Sequence, residues 1–435
     1  MNDENNTWLD EILGRFQKTL EASERAPRAL QHRYQQALLK QLVKHAYETV
    51  PFYRDRLANL IDGDEIDLSR WNEVPILTRD TIVAHRDEMQ SCNVPPQAGS
   101  VQEILTTGTT GKPLRIAYNQ LNKVAAVAAF RRTARWWGLE IPQSAAKIVI
   151  YVQDEGANYP AGRDTSGLSF SRVHELDMLT SPENQIEWLL RKNATYLITS
   201  PVNATALAYT ITPDQALKLG IKAVLAHGET VLPRVRELIL ERLGAPLIAF
   251  YSCQEVGYIA TQCPVTTHYH VMAENVFVEI LRDDGSPSAP GEPGQVVVTS
   301  LYNYAMPLIR YAIGDVATPG PEYCTCGMTL PVIEQIDGRT RYAFVFEDGS
   351  RVWPRLINFD VSPFVAYREF QLVQVDRKKI ELRYVPNGDQ SPDKAGLDAY
   401  IREKIHHSAS VELVPMQALP RGPGGKLTPF ISLVE

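Results

Sequence analysis

Hydrophobic and polar positions along the middle of the chain predict strands and helices that take turns. Short runs of apolar and β-branched residues alternate with stretches in which apolar residues recur every three or four positions. We predict strands at 147–152, 196–200, 221–226 and 247–251, separated by helices at 183–191, 203–211 and 233–243. This order is typical of an α/β layer in which the strands pair in parallel.

The regions before and after this layer have different patterns. Residues 8–60 show the spacing of amphipathic helices, and residues 121–137 predict an alanine-rich helix. Strands predicted at 276–281 and 295–301 are joined by a run of turn-forming residues, which indicates a β-rich subdomain. The first part of the chain is therefore expected to be a large α/β domain with parallel and mixed sheets, helices and this subdomain.

The C-terminal segment has its own succession of elements. Its predicted helix lies near 393–406, and its predicted strands lie near 370–375, 379–385 and 411–415, before a glycine-rich loop and a final strand. This pattern is typical of a small α+β domain. We place the boundary within 336–339, so that residues 1–337 form the N-terminal domain and residues 338–435 form the C-terminal domain.

Composition and charge exclude several classes of protein. The chain has 435 residues, of which 44% are hydrophobic and 22% charged, which suits a globular protein of two or three domains. A formal net charge of −7 gives no general attraction to nucleic acid or anionic membranes, and no apolar run is long enough to cross a membrane. The polar N-terminus and only five cysteines predict a cytoplasmic protein without a disulfide framework.

A loop rich in glycines and hydroxyls lies between two predicted strands, 101–105 and 114–118. Its residues are Thr106, Thr107, Gly108, Thr109, Thr110, Gly111, Lys112 and Pro113. Glycines let backbone N–H groups turn toward an anion, while the threonines add donors and the lysine adds charge, so the loop suits a phosphate. A Walker-type loop is excluded by the glycine spacing, by Pro113 and by the strand that follows. An ordinary polar hairpin loop remains the alternative.

Three further short sequence motifs, called strings below, place reactive side chains at strand ends or on loops. Tyr251, Ser252 and Glu255 lie at the end of a predicted strand, where an aromatic ring can stack on a purine and a carboxylate can bind Mg²⁺. Asp315 follows a glycine at a predicted strand end and can accept hydrogen bonds from both hydroxyls of a ribose. Lys426 lies on a glycine-rich tip from which its ammonium can reach a carboxylate and a phosphate. Taken singly, each string also suits a solvated turn.

The glycine loop and these three strings together resemble the adenylate-forming superfamily, which includes acyl-CoA synthetases, luciferases and the adenylation domains of peptide synthetases. Within the superfamily, the chain is most similar to the phenylacetate-CoA ligase branch. The resemblance covers nearly the whole chain and rests on residues 106–113, 251–257, 306–315 and 419–426. It implies a small C-terminal domain that moves between the two half-reactions.

The resemblance also implies a role for each matched residue. Lys426, Glu255 and Lys112 are expected to be catalytic, with Glu255 holding Mg²⁺ on ATP. Tyr251 would contact the adenine, Asp315 the ribose, and Arg339 the ribose or a phosphate. The residues expected to bind ATP or AMP are Thr106, Thr107, Gly108, Thr109, Thr110, Gly111, Gly228, Glu229, Tyr251, Ser252, Asp315 and Arg339.

The implied reaction joins a small carboxylic acid, by resemblance an aromatic one, to coenzyme A. ATP would first convert the acid to an acyl-AMP, and the thiol of coenzyme A would then displace AMP. Candidate residues of the acid pocket lie at strand ends or in an irregular loop, and they are Tyr151, Tyr159, Ser200, His227 and Tyr258. The sequence does not indicate the oligomeric state, although the resemblance allows a homodimer because relatives are often dimers.

The predicted domain boundary departs from the pattern of the superfamily. An aspartate usually stands two residues after the Gly-Arg pair as a pivot, whereas this chain has Arg341 there. The departure leaves open an amine or a carrier-protein thiol as the acyl acceptor in place of coenzyme A. A nucleotide-binding protein without turnover is a third alternative, which the presence of both Glu255 and Lys426 disfavours.

Cysteine and histidine residues of the β-rich region suit a metal. Cys263, Cys324 and Cys326 with one imidazole would complete a closed tetrahedral zinc site, whose role is structural because no position remains for water. Some phenylacetate-CoA ligase relatives carry a similar set, and this resemblance favours His270 over His268 as the fourth ligand. Free buried thiols are the alternative.

Overall fold

A computed structural model describes residues 3–105, 114–149, 170–229, 231, 233–339, 343–352, 360–421, 427 and 429–434, with side chains from Trp8 onward. The α-helices are α1 (Asp3–Ser23), α2 (Arg28–Thr49), α3 (Tyr53–Leu57), α4 (Arg79–His85), α5 (Gln120–Trp136), α6 (Pro182–Lys192), α7 (Pro201–Thr210), α8 (Pro213–Leu219), α9 (Pro233–Leu243) and α10 (Lys394–Lys404). No helix among the described residues is long and apolar enough to cross a membrane.

The strands fall into one large sheet and several small ones. In chain order they are β1 (Ile61–Asp62), β2 (Glu65–Ile66), β3 (Val101–Leu105), β4 (Arg115–Asn119), β5 (Gln143–Val149), β6 (Phe170–Asp177), β7 (Tyr196–Thr199), β8 (Ala223–His227), β9 (Leu247–Cys253), β10 (Gly257–Gln262), β11 (Tyr269–Val271), β12 (Val276–Leu281), β13 (Gly294–Ser300), β14 (Tyr311–Pro319), β15 (Val332–Arg339), β16 (Phe344–Val345), β17 (Arg351–Val352), β18 (Tyr367–Gln374), β19 (Lys379–Pro386), β20 (Ser410–Pro415) and β21 (Phe430–Ser432).

The large sheet has eleven strands in the order β12-β13-β14-β15-β11-β10-β9-β8-β7-β5-β6. Strands β9, β8, β7, β5 and β6 pair in parallel, as the alternation of strands and helices predicts. From β10 to β12 every pairing is antiparallel, which gives the β-rich region expected after residue 270. The sheet is therefore half parallel α/β layer and half antiparallel meander, and β9 and β10 form the junction.

A helical N-terminal layer packs on this sheet. Leu42, Val43 and Ala46 of α2 are fully buried in the same core as the strands. Tyr53 is also fully buried, and its hydroxyl donates to the carbonyl of Pro307 at 2.9 Å. Tyr53 therefore anchors the helical layer to the chain segment that leads into β14.

The C-terminal segment builds a second core around a four-stranded sheet in the order β20-β19-β18-β21. Leu397 and Ile401 of α10 pack against this sheet with apolar residues of its strands. Strands β18 and β19 are antiparallel, while β20 and β21 join the edges in parallel. The fold of this segment is the small α+β unit expected from its pattern.

Several elements differ from their predictions. Strand β5 begins at Gln143, four residues before the predicted start, and α8 was not predicted. The predicted boundary after Asp337 falls inside β15, which continues in the large sheet to Arg339. Asp315 was expected at a strand end, yet it lies in the middle of β14.

Candidate active site

The ends of two neighbouring parallel strands bring several predicted residues to one edge of the sheet. β8 ends at His227, directly before Gly228 and Glu229, and β9 carries Tyr251 and Ser252 near its end. His227 and Phe250 are partners in the register of these strands. Because both strands run the same way, their carboxyl ends meet at the edge where open α/β sheets bind ligands.

Three predicted nucleotide contacts form one connected group at this edge. The Tyr251 hydroxyl donates to Oδ2 of Asp315 at 3.0 Å. Nε of Arg339 lies 2.9 Å from Oδ1 of the same carboxylate, and the guanidinium also donates to the carbonyl of Ile313 at 2.9 Å. β9 is four places from β14 in the sheet, so this contact joins strands that are not neighbours.

The position of Asp315 depends on an irregularity in β14. Between the register pairs Gln295 with Val316 and Val297 with Ala312, β14 contains more residues than β13, so the strand bulges there. Gly314 precedes the aspartate and has a φ of +82°, a backbone conformation that residues with side chains rarely adopt. Bulges of this kind re-aim side chains beside binding sites, which explains why a residue in mid-strand reaches the edge.

Burial keeps the neutral groups of this site protonated. Burial, then the negative charge of Asp315 and the hydrogen bond to it, raises the pKa of Tyr251 well above its ordinary value. Burial and the nearby Glu255 likewise raise the pKa of Cys253, so this thiol is a poor nucleophile at neutral pH. Tyr251 is therefore a hydrogen-bond donor across the physiological range of pH.

Glu255 has a cationic partner that the sequence did not predict. Oε1 of Glu255 lies 3.1 Å from a terminal guanidinium nitrogen (Nη1) of Arg79, the first residue of α4. The side chain of Tyr311 is hydrogen-bonded to the same guanidinium. An arginine at the first position of a helix opposes the helix dipole, and this unfavourable placement is the one local signal that could have drawn attention to it.

Two predicted residues instead support the start of α7. The Ser200 hydroxyl accepts a hydrogen bond from the backbone N–H of Asn203 at 3.2 Å and is the N-cap of the helix. Oε2 of Glu229 accepts from the N–H of Val202 at 3.3 Å. Tyr258, also predicted for the acid pocket, packs its ring against Phe250 with ring centroids 5.4 Å apart.

Part of the predicted site lies outside the described residues. The predicted residues concerned are Thr106, Thr107, Gly108, Thr109, Thr110, Gly111, Lys112, Tyr151, Tyr159, Arg341 and Lys426. The strands that flank the glycine loop are described, and they pair antiparallel with Leu105 opposite Arg115. The prediction that the loop joins two strands is therefore confirmed.

A separate cluster of sulfur and nitrogen ligands lies in the antiparallel half of the sheet. The ligand atoms of Cys263, His270, Cys324 and Cys326 are all within 4.8 Å of one another, and His268 is not part of the group. Sγ of Cys263 is 3.9 Å from Sγ of Cys324, and Sγ of Cys326 is 3.3 Å from Nε2 of His270. Residues far apart in the sequence thus meet, with His270 brought in by β11.

Comparison with known proteins extends these observations along the whole chain. No protein-family model matches the sequence. Phenylacetate-coenzyme A ligase from Thermus thermophilus is 25% identical over 457 residues, which is 94% of this chain and 98% of that protein. The phenylacetate-coenzyme A ligase from Escherichia coli is also 25% identical, over 89% of this chain and 91% of that protein.

Solved structures share the fold. A crystal structure of 2-hydroxyisobutyryl-CoA ligase in the postadenylation state in complex with R3-HIB-AMP has a TM-score of 0.72 and 17% identity, and covers 95% of this chain and 91% of that one. The amide bond synthetase from Marinactinospora thermotolerans has a TM-score of 0.54 and 20% identity, over 74% of this chain and 66% of that one. These comparisons confirm the predicted fold class.

Proposed function

We propose that this chain, which has the fold of the adenylate-forming ligases and is similar in sequence to phenylacetate-coenzyme A ligases, is an ATP-dependent acid:coenzyme A ligase. The observation that carries the proposal is the contact of Tyr251 and Arg339 with one carboxylate, Asp315, beside Glu255. The sequence-based expectation assigned these four residues to the nucleotide and its metal. Their meeting at the ligand-binding edge of the sheet supports that assignment.

The reaction proceeds in two displacements. An oxygen of the acid attacks the α-phosphorus of ATP, and the bond to the departing pyrophosphate breaks. The sulfur of coenzyme A then attacks the acyl carbon, the bond to AMP breaks, and the thiol proton passes to solvent. The first step turns a poor acyl donor into one with a good leaving group, and it requires charge stabilisation at the phosphates.

The described residues suit the binding of ATP. A carboxylate has about four lone-pair sites, so Asp315 suits the acceptance of hydrogen bonds from ribose hydroxyls as well as from protein donors. Glu255 supplies the hard oxygen ligand that Mg²⁺ prefers, and the bound ion would neutralise charge on the phosphates. The threonines and glycines of 106–111, with Lys112, would bind the phosphates, while Gly228, Glu229 and Ser252 would line the nucleotide edge.

The acid is proposed to be small and aromatic, because the two relatives compared above by sequence are phenylacetate-coenzyme A ligases. His227 ends β8, and Tyr258 lies near the start of β10, which runs antiparallel to β9, so both suit the wall of such a pocket. Ser200, as a helix cap, would contribute to its shape more than to contact. A panel of aryl and alkyl acids assayed for pyrophosphate release would identify the substrate.

Two measurements test the proposed reaction. Acid-dependent exchange of labelled pyrophosphate into ATP reports the first step, and its absence for every acid in the panel would refute adenylation. Release of AMP that requires coenzyme A reports the second step. Release that requires an amine or a carrier protein would instead support the alternative acceptors, which the shared fold of an amide bond synthetase and the presence of Arg341 keep open.

Lys426 is proposed to act in the first step alone. Replacing it with alanine is expected to abolish acyl-AMP formation, because its ammonium would no longer neutralise the reacting carboxylate and α-phosphate. Formation of the thioester from supplied acyl-AMP should remain largely intact. Lys404, whose exposed ammonium pairs with Glu403 on α10, provides the control, since Lys404→Ala should preserve both steps. Equal loss of both steps in Lys426→Ala would contradict the role.

We also propose that Cys263, His270, Cys324 and Cys326 hold a structural zinc ion. Ligands at ordinary Zn–S and Zn–N distances lie roughly 3.5–3.8 Å apart in a tetrahedron. The separations of 3.9 Å for Cys263–Cys324 and 3.3 Å for Cys326–His270 are close to these values. Backbone N–H groups of Val265 and Met328 also point at the sulfurs of Cys263 and Cys326, at 3.4 Å each, as suits thiolate ligands.

Elemental analysis of the purified protein tests the zinc site. One zinc ion per chain is expected, and Cys326→Ser should lower both the zinc content and the melting temperature. The control is Cys92→Ser, which changes an exposed thiol outside the cluster. A metal-free wild-type protein that is fully folded would refute the proposal.

We also propose an assembly and a location for this chain. None of the five cysteines forms a disulfide, which suits the reducing cytoplasm proposed for this chain. A homodimer is proposed from the resemblance alone, and sedimentation velocity would measure it. A division into a large domain and a mobile C-terminal domain is proposed on the second hydrophobic core, whose first member is Phe344, while β15 keeps residues up to Arg339 in the large sheet.

A further inference from the structure

The carboxylate of Glu255 is held from one side. Nη1 of Arg79 donates to Oε1 at 3.1 Å, whereas Oε2 makes no hydrogen bond to the residues that the structure describes. The two side chains are 24% and 13% exposed for Arg79 and Glu255, respectively, so they are partly shielded from water but still reachable. One oxygen of the proposed magnesium ligand is thus oriented by protein and the other is available.

Arg79 is itself fixed by the strand that carries the site. Leu77 lies beside β14, with its N–H donating to the carbonyl of Arg310 at 2.8 Å and its carbonyl accepting from Ala312 at 2.9 Å. Thr78 then caps α4, because its hydroxyl accepts from the N–H of Thr81 at 3.2 Å. Arg79 therefore starts from a backbone that is anchored immediately before it.

The location of this arginine is costly for the helix. A cation in the first turn of a helix meets the positive end of the dipole, which is unfavourable. α4 is only one or two turns long, so it gains little from propensity or length. The contacts with Glu255 and Tyr311 offset that cost, which indicates that the guanidinium is placed for the site and not for the helix.

We propose that Arg79 is a positioning residue for the metal, which orients the Glu255 carboxylate through Oε1 so that Oε2 can bind Mg²⁺. This inference rests on the proposed function, since that function supplies the nucleotide-bound metal. Hydrogen-bonded partners of metal ligands typically raise metal affinity about 10- to 100-fold by fixing the orientation of the ligand. The opposing repulsion between guanidinium and metal is weakened by the phosphates that share the metal. We therefore expect the gain in affinity from orienting the carboxylate to exceed the loss from repulsion between the guanidinium and the metal.

Calorimetry of Mg²⁺ binding in the presence of a non-hydrolysable ATP analogue tests the role without turnover. Arg79→Met removes the donor while keeping an apolar stem, and it is expected to weaken Mg²⁺ binding by about 10- to 100-fold. Arg79→Lys keeps a charged donor and should recover most of the loss. The control is Arg70→Met, which removes an exposed arginine paired with Glu73 at 2.7 Å and should leave Mg²⁺ affinity unchanged.

The outcomes separate this role from its rivals. Unchanged or tighter Mg²⁺ binding in Arg79→Met would overturn the proposal and indicate a structural or competing ion pair. If Arg79→Met weakens binding of the analogue without metal as much as it weakens binding of Mg²⁺, the proposal would also be overturned. Arg79 would then be a phosphate ligand. If the Arg79 variants change Mg²⁺ affinity as expected but the wild-type protein shows no acid-dependent pyrophosphate exchange, the proposed reaction is refuted and the positioning role is retained. Arg79→Lys keeps the test valid if Arg79→Met fails to fold.

Discussion

Asp315 is the residue on which the candidate nucleotide site depends most. Its carboxylate accepts from a phenol and a guanidinium, and both donors come from other strands. Replacement by asparagine keeps the shape but offers one acceptor oxygen where the carboxylate offers two. We predict that Asp315→Asn raises the KM for ATP at least about tenfold, in line with the loss of a charge-assisted hydrogen bond, with little change in the KM for the acid.

Steady-state kinetics with each substrate varied in turn would measure the KM for ATP and the KM for the acid separately. Asp284→Asn provides a matched control, because Asp284 is a fully exposed carboxylate whose partners are the N–H and hydroxyl of Ser286 in a turn. That variant should leave both KM values unchanged. Equal increases in the KM for ATP and for the acid would contradict a ribose contact and indicate a general disturbance of the cleft.

At the scale of elements, Arg310 joins the helical N-terminal layer to the antiparallel half of the sheet. The side chain is 3% exposed and pairs with Glu279 at 3.0 Å. It also donates to the carbonyls of Asn72 and Val74 at 3.0 and 2.7 Å, in the segment that leads to Arg79. The arginine thereby fixes a segment that has little regular secondary structure of its own.

Arg310→Met is expected to destabilise the protein by about 3–5 kcal/mol, because it leaves the buried carboxylate of Glu279 without its cationic partner and the buried carbonyl of Val74 without this donor. Chemical unfolding followed by circular dichroism would measure the loss. Arg282→Met removes the partner of Glu292 from an exposed pair and should cost less than about 1 kcal/mol. Similar losses in the two variants would show that the Arg310 contacts contribute no more than surface ones.

Sequence patterns predict elements well where one face of an element is continuously apolar. α9 and β12 have the predicted bounds, 233–243 and 276–281, because both have clear periodicity and turn formers on either side. β14 was not delimited, since its bulge around Asp315 breaks the alternation. Arg79 was missed for a different reason: its proximity to Glu255 is set by the pairing of Leu77 with Tyr311, a contact between residues far apart in the sequence.

At the scale of the whole molecule, the residues that the structure describes show a small contact between the large core and the C-terminal segment. Val202 of α7 packs against the cluster of Val385, Leu419 and Leu427 from the C-terminal segment. The guanidinium carbon of Arg234 on α9 lies 4.8 Å from the centroid of the Tyr367 ring on β18. This contact consists of a small apolar cluster and a cation–π pair. A contact of that size suits two domains that separate and come together again during a reaction cycle.

If this contact belongs to one of two domain arrangements, Arg234→Ala should change the balance of the two half-reactions. We predict an altered ratio of pyrophosphate exchange to thioester formation, by about two- to thirtyfold, because a cation–π pair contributes about 0.5–2 kcal/mol. Arg242→Ala on the same helix is the control. The melting temperature should stay the same in both variants. An unchanged ratio for Arg234→Ala would mean that the contact does not distinguish the arrangements.

Buried tyrosines determine how the whole molecule responds to alkaline pH. Burial raises the pKa of Tyr304 to about 12 in the large core and of Tyr367 to about 12 in the C-terminal core. A phenol in the unfolded chain ionises near pH 10, so the unfolded state loses its proton first as pH rises. The stability that these two phenols contribute is therefore fully present below about pH 10 and is lost between about pH 10 and 12, at about 1.4 kcal/mol per pH unit for each tyrosine.

Unfolding free energies measured from pH 9 upward, with phenolate absorbance read in parallel, would check this slope. Tyr304→Phe removes one ionising group from the large core and should flatten its pH dependence by the contribution of one tyrosine. Tyr323→Phe changes a tyrosine that is 63% exposed and should leave the slope as it was. A wild-type protein whose stability is constant up to about pH 12 would contradict the shifts, because ionisation in both states would then be equal.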